Sequence, residues 1–438
     1  MVDLKNWEEI ARLVRKYFRC TVAAALATSA QGSSTQEKYK GIFLFLSLLF
    51  LSCHLSTRQD RAKMNEKIRG FDGLRGIAVF LVFLHHKAMA EGTGLGHLGV
   101  WIFFALSGFL ITDILTTQRR YIDAGTSTFG AELKRFLYRR TLRIFPIYYL
   151  LLATLAVLMT MGFAGPELAG GMPYHFVYLS NFWIADVLHA WPGRYSHLWS
   201  LSIEEQFYIV FAPLLLGLRA DWHGRICWLV LALGVGSLFT MKALHDSPIA
   251  IYTHPLTNFW LLALGGIGAA FVKRSRLRAP LYAVVIISTV IALLCFQEPE
   301  WERLANPYSY TALYVLYGAC IAMLVCAIAC SASGPLLRVL EWAPLAALGK
   351  ISYGFYLYHG FIPDFYKSVS VKALFGASGV PWWARFLCVL ASFALTWILA
   401  RLSWRFIEAP ILRLKNRRFM RVSVQGPANA ELSGGEAR

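Results

Sequence analysis

The run FDGLRGIAVFLVFLHH, from Phe71 to His86, sets an arginine and a histidine eleven residues apart in an otherwise apolar segment. At about 100° per residue, eleven positions make three full turns plus roughly 20°, so Arg75 and His86 share one helix face, roughly 16 Å apart along the axis. The hydrocarbon core of a bilayer is about 30 Å thick. With Arg75 at one interface, His86 lies near or past the middle, where a titratable group is costly and marks a functional site. Histidine there suits proton abstraction, because its ordinary pKa near 6.5 keeps a neutral base available. A structural account also fits. Asp72, three residues before Arg75, pairs with it at the interface, Arg75 is an anchor, and His86, beside His85, is a hydrogen-bonded packing residue.

Four further sets carry polar chemistry into apolar surroundings. RRTLRIFPIYYLL places Arg140 and Arg143 on one helix face. The guanidinium fork binds phosphate oxygens in pairs, although arginines there also anchor a helix to anionic lipid. HLWSLSIEEQFYIVF carries His197, Trp199, Glu204 and Glu205. Carboxylates so close to an apolar run face a cavity or pair with a base. A capping box, Ser202 at the N-cap with Glu205 three residues on, is the plainer account of Glu205. LGKISYGFYLYHGFI supplies Tyr353, Tyr356, Tyr358 and His359, and SWRFIEAPILRLKNR supplies Arg405 and Glu408, expected to pair at i,i+3. Structural roles are expected for most of these last two sets.

The elements that hold these residues are membrane helices. Of 438 residues, 57% are hydrophobic and only 16% charged, with a mean hydropathy of +0.50. The expected fold is all-α, a polytopic integral membrane protein of about ten spans near 72–91, 97–117, 144–163, 203–220, 226–243, 257–272, 279–296, 311–330, 344–363 and 383–402. The short apolar segment 175–187 reads as a re-entrant or interfacial helix. The net charge of +18 does not imply nucleic acid, because the basic residues concentrate in alternate loops. Arg119, Arg120, Lys134, Arg135, Arg139, Arg140 and Arg143 follow the second span, Lys273, Arg274, Arg276 and Arg278 the sixth, and Arg401, Arg405, Arg413, Lys415, Arg417, Arg418 and Arg421 the tenth. Of the intervening loops, 92–96 has no Lys or Arg and 164–202 only Arg194. The alternation puts both termini in the cytoplasm. The eight cysteines form no CxxC pair, so neither a metal nor a disulfide framework is expected.

Residues 1–63 fit this plan poorly. SAQGSSTQ reads as a linker, and GIFLFLSLLFLSC is short for a span. Either translation starts at Met64, or the extension is an extra membrane-associated anchor. The main domain is expected over 64–422, and the polar tail 423–438 is expected to be disordered.

In this order, the Arg-x10-His of Arg75 and His86, FFALSGFLIT at 103–112, the Arg-x2-Arg of Arg140 and Arg143, LWSLSIEEQFY and SWRFIEAP resemble the membrane-bound acyltransferase-3 family, from about Ile68 to Lys415. The resemblance implies an enzyme of the plasma membrane, the inner membrane of a bacterium. It would move an acyl group other than aminoacyl, usually acetyl, onto a sugar hydroxyl of an exported glycan or glycoconjugate. Acyl-CoA, in the first place acetyl-CoA, is the implied co-substrate, with no metal. Its phosphates would meet Arg140 and Arg143, with Arg75 facing inward at the same level. His86 would be the base or transient acyl carrier, and Glu204 would fix its tautomer. His197, Trp199, Glu205 and Tyr356 are expected at the acceptor. A small-molecule transporter is the rival reading, since buried ionisable residues and Gly-interrupted helices also describe transporters. A non-catalytic acyl or lipid sensor is a third.

Overall fold

The computed structural model describes residues 68–87, 94–162, 166–244, 246–272, 306–331, 333–375 and 379–414. The extension 1–63, the expected span 279–296 and the tail 423–438 lie outside the described residues, and with them both termini. What is described is all-helical. In chain order the helices are α1 Phe71–Lys87, α2 Leu95–Asp123, α3 Phe129–Thr160, α4 Pro166–Phe176, α5 Leu198–Gly217, α6 His223–Ala243, α7 Pro248–Thr253, α8 Leu256–Val272, α9 Pro307–Cys330, α10 Pro335–Leu340, α11 Ala343–Lys350, α12 Ser352–His359, α13 Val369–Phe375 and α14 Trp382–Ser403.

Local chemistry starts several of them. Thr128 caps α3 by accepting from the Ala131 amide. Asn306 caps α9 by accepting from Tyr308 and Ser309, with Pro307 just inside the first turn, where its missing N–H costs nothing. Six stretches among the described residues are long and apolar enough to cross a membrane: Leu95–Asp123, Phe129–Thr160, Ala220–Ala243, Pro248–Val272, Pro307–Cys330 and Trp382–Leu414. The helices α2 and α8 are the buried centre, whereas α6 and α14 expose most of their apolar surface. Leu229, Leu233, Phe386, Leu387 and Leu390 project outward there, as a lipid-facing surface requires.

Glycine sets the helix spacings near the site. Between lipid-embedded helices, packing rather than water exclusion drives association, and small residues permit it. A Cβ on Gly108 of α2 would lie 1.8 Å from the Leu262 carbonyl oxygen of α8, and one on Gly265 would lie 2.1 Å from the Ala105 oxygen opposite. The helix α1 is gripped likewise. Gly99 of α2 rests on the Ala78 carbonyl, Gly73 and Gly76 rest on the carbonyls of Leu340 and Leu345, and Gly349 of α11 rests on that of Asp72. Arg69 and Glu341 form an ion pair at the same end, and hydrogen bonding to Arg69 holds the exposed Glu341 carboxyl below its ordinary pKa.

Several expectations change. The span expected at 344–363 is two short helices, α11 and α12, broken around Ile351. A hydropathy average runs across that break because both halves are apolar, while Gly349 ties the first half to α1. The helix α5 starts at Leu198, five residues before the expected span. Ser202 is therefore inside it and caps nothing; its buried hydroxyl bonds Ser180 Oγ at 2.6 Å. The basic stretch 129–143, expected mostly as loop, is the first half of the 32-residue α3. Segment 175–187 is bent: α4 ends at Phe176, a short turn Ser180–Phe182 follows, and Trp183–Leu188 is π-helical. Gln206 of α5 holds it by donating to the Tyr178 carbonyl and to Asn181 Oδ1, both at 2.8 Å. Arg405 and Glu408 do not pair. Glu408 accepts from Ser403 Oγ at 3.2 Å, and the Arg405 guanidinium lies over the Phe406 ring, because a π-helical turn, Trp404–Glu408, ends α14 and breaks the i,i+3 register.

The α2–α8 contact gives a direct test. Gly108→Val forces backbone apart where the Cβ has no room, and is expected to cost about 1–3 kcal/mol or more. The matched Gly236→Val, where a Cβ meets nothing within 4 Å, is expected to leave thermal unfolding in detergent near the native midpoint.

Candidate active site

A cavity of about 260 Å³ opens between α1, α2, α3, α5 and α12. Its lining includes Arg75, Arg140, Arg143, Glu204, Glu205, Ser107, Tyr208, Ser200 and Tyr356. The structure thus brings together six of the sequence-expected site residues. They are the three arginines, the two glutamates and Tyr356, which come from four separate helices.

Charge is distributed unevenly within it. Arg75 Nη1 donates to Asp72 Oδ1 at 2.9 Å, the local pairing that the i,i+3 spacing allows. Neither Arg140 nor Arg143 has an ion-pair partner within 4 Å among the described residues. Arg140 instead lies over two ring faces, 5.6 Å from Phe136 and 5.4 Å from Tyr208, a cation–π arrangement. Glu204 Oε2 accepts from the Tyr208 hydroxyl at 2.9 Å. With that hydrogen spent on Glu204, Ser107 Oγ, 2.7 Å from the same hydroxyl, is the donor to it. Glu205 is buried, and its Oε1 has no hydrogen-bond partner among the described residues.

The histidines stand beyond the other end of the cavity. Tyr356 separates the two regions. Its hydroxyl donates to the His197 carbonyl at 3.0 Å and lies 2.7 Å from Ser200 Oγ. Its ring centroid is 5.6 Å from that of His197 and 5.4 Å from that of His359. His86, in the last turn of α1, lies 5.2 Å from His359 by ring centroids, and His359 lies 4.8 Å from His197. Lys87 ties this end of α1 to the chain after α12. It donates to the Ile362 carbonyl at 2.6 Å and to Asp364 Oδ1 at 2.8 Å.

Of the expected residues outside the cavity lining, His86 and His197 belong to the histidine group and Trp199 is buried elsewhere; Glu204, inside the cavity, faces a different neighbour than expected. Trp199 does not line the cavity. It is 3% exposed and packs against Phe104 and Tyr252, because its position on α5 points it away from the face carrying Ser200, Glu204 and Tyr208. Glu204 is set among Arg140, Tyr208 and Ser107, while the rings beside His86 are those of His85 and His359. Depth along a helix had suggested Glu204 as the partner of His86, but depth does not say which neighbour a side chain faces.

Sequence reasoning passed over Ser107, Ser200 and Tyr208. A signal existed for two of them: Ser200, Glu204 and Tyr208 recur at i, i+4, i+8, a single helix stripe. Gly360 was also missed. A Cβ there would lie 2.4 Å from His197 Cε1 and 2.7 Å from the Arg194 carbonyl oxygen, and spacing alone gives no hint of that contact. Gly360→Ala is therefore expected to push His197 off its 3.1 Å contact with the Leu357 carbonyl and to lower thermal stability by about 1–3 kcal/mol. Unfolding in detergent measures this, and an unchanged midpoint would show that the ring has room to move.

The family model described as an acyltransferase domain matches residues 68–401, and the chain belongs to that family. It is 30% identical over 369 residues to the peptidoglycan O-acetyltransferase OatA of Listeria monocytogenes, covering 78% of this chain and 56% of that protein. It is 31% identical over 382 residues to YrhL of Bacillus subtilis, named as a candidate peptidoglycan O-acetyltransferase, covering 81% of this chain and 56% of that one. A candidate O-acetyltransferase of Staphylococcus aureus strain COL is 30% identical over 373 residues, with 78% and 57% covered. The chain thus spans a little over half the length of these relatives. No solved structure matches it.

Proposed function

We propose that this member of the acyltransferase family moves an acyl group, acetyl in our reading, from cytoplasmic acyl-CoA to a hydroxyl of an exported sugar or glycoconjugate. The observation that carries the proposal is the cavity itself, with Arg75, Arg140 and Arg143 on its wall and the histidine cluster beyond Tyr356 at its other end. A donor rich in phosphate, with a long uncharged arm ending in a thioester, has that pattern of charge and length. Relatives named for peptidoglycan make a peptidoglycan sugar the first acceptor to test.

In this reading Arg140 and Arg143 hold the coenzyme phosphates and Arg75 faces the same space. The pantetheine arm runs along the apolar wall of Phe103, Leu106 and Leu110. The acyl carbon then comes to rest near Tyr356 and His86. The neutral imidazole of His86 takes the proton of the acceptor hydroxyl as its oxygen attacks the thioester carbon. Burial away from water favours such charge movements when donors are already in place. Glu204 serves the arginine side, balancing Arg140 through the tyrosine between them. His197 and Tyr356 frame the acceptor side, and Glu205 remains a candidate contact there. The protein is placed in the plasma membrane, multi-pass, with both termini in the cytoplasm, and the loop-charge alternation supports that orientation.

Three outcomes test this. In purified protein, His86→Ala is expected to abolish coenzyme A release from acetyl-CoA supplied with solubilised peptidoglycan fragments, while folding is retained. Near-native turnover would remove His86 from the chemistry, and movement of a solute across vesicles with no coenzyme A released would favour the transporter. Arg140→Ala or Arg143→Ala is expected to weaken acetyl-CoA binding about 10-fold or more, at roughly 1.5–3 kcal/mol per charge-assisted contact. Lysine should restore part of it, since it lacks the fork. Unchanged binding in both variants would leave them as lipid anchors. A cysteine introduced at Gly193 should react with a membrane-impermeant thiol reagent added outside, and one at Gly125 should not. The reverse pattern would invert the direction of transfer.

A further inference from the structure

His359 ends α12, is 1% exposed and lies outside the lining of the cavity. Its Nδ1 is within hydrogen-bond distance of the Tyr356 carbonyl oxygen. A carbonyl only accepts, so this bond places the hydrogen on Nδ1 and leaves Nε2 of the neutral ring with a bare lone pair. Among the described residues Nε2 has no hydrogen-bond partner. A buried polar atom in that state calls for an explanation.

Two imidazoles flank it, and one is already committed. His197 Nε2 lies 3.1 Å from the Leu357 carbonyl oxygen, so the single N–H of neutral His197 is spent there. The remaining imidazole N–H that can meet His359 Nε2 is that of His86. Rings joined by an N–H···N bond of about 3 Å have centroids roughly 5 Å apart, and these two are 5.2 Å apart. The fixed charges nearby do not take this place. Lys87 and Lys367, the cations facing His86, are both bound to Asp364. His85 packs against Gly96 of α2, and Tyr356 has its hydroxyl on the His197 carbonyl.

We propose that His359 is the positioning partner of His86: a turn of the His86 ring brings its N–H onto His359 Nε2, unpartnered among the described residues, and fixes the tautomer in which the other His86 nitrogen presents its lone pair to the acceptor hydroxyl. This rests on the reading of His86 as the base. His359 stands where a carboxylate stands in a Ser–His–Asp triad, but as a neutral group, whose burial costs far less than that of a charge. In the step itself the hydroxyl proton passes to His86 and the oxygen bonds to the acyl carbon. The carbon–sulfur bond then breaks, and the departing thiolate takes the proton from His86. His359 strengthens its hydrogen bond while His86 is charged and ends the cycle unchanged.

Asparagine and glutamine separate the two ring nitrogens. His359→Asn keeps a donor for the Tyr356 carbonyl and has nothing at the Nε2 position. His359→Gln reaches that position with a carbonyl oxygen that accepts but cannot be protonated. The assay uses membrane vesicles from cells that make the protein, which carry its own acceptor, supplied with radiolabelled acetyl-CoA. His359→Asn is expected to lower kcat about 100-fold, within the usual range for a displaced general base, with KM for acetyl-CoA within about 2-fold of native. His359→Gln is expected to return kcat to within about 10-fold of native. A native kcat in His359→Asn would reduce the residue to a prop for Tyr356 and overturn the proposal. So would equal losses in both variants with equally lowered unfolding midpoints. His86→Ala in the same vesicles keeps the two readings apart. If it turns over normally, the assignment of His86 fails; if it is dead while His359→Asn is native, only the present proposal fails.

Discussion

Three arginines and two glutamates share one small cavity inside an apolar helix bundle: Arg75, Arg140, Arg143, Glu204 and Glu205. Charges in such surroundings persist only if neighbours replace the water they have lost. Three of the five are answered by neighbouring groups. Asp72 answers Arg75 within one turn of α1. Two aromatic faces answer Arg140. Tyr208 and Ser107 answer Glu204. Because the answering groups come from α1, α2, α3 and α5, the bundle cannot loosen at one contact without exposing a charge to an environment that does not solvate it.

Such short reaches require close backbones. Glycine at the crossings of α2 with α8 and of α1 with α2, α10 and α11 brings carbonyls within what would be the van der Waals radius of any larger residue. The same economy acts at the histidine end, where Gly360 lets His197 sit against the chain that follows α12.

In the proposed reaction the two ends of the site would divide the labour by chemistry. Arginine is the residue for phosphate, since its fork is always charged and matches the oxygens in pairs. Histidine is the residue for a proton that must come off and go back near neutral pH. Tyr356 stands between them, bonded to the histidine end by its hydroxyl and lining the cavity with its ring. It therefore touches both halves.

How much of this was legible depended on the range of the contacts involved. The helical, membrane-sized character of the chain, the shared face of Arg140 and Arg143, and the Asp72–Arg75 pairing follow from composition and from spacings of three residues, because a helix converts local separation into direction. The family follows from ordered short motifs for the same reason. Tertiary packing alone decided that Glu204 faces Arg140 rather than His86, that Trp199 is buried away from the cavity, that Ser202 holds a neighbouring segment instead of capping α5, and that 344–363 is two helices. It also decided that His359, which spacing ranked as structural, stands between His86 and His197. Each of these depends on which surfaces of helices distant in the chain meet, and that is settled by the fit of glycines, carbonyls and rings across the interface, for which the order of residues in one segment holds no record.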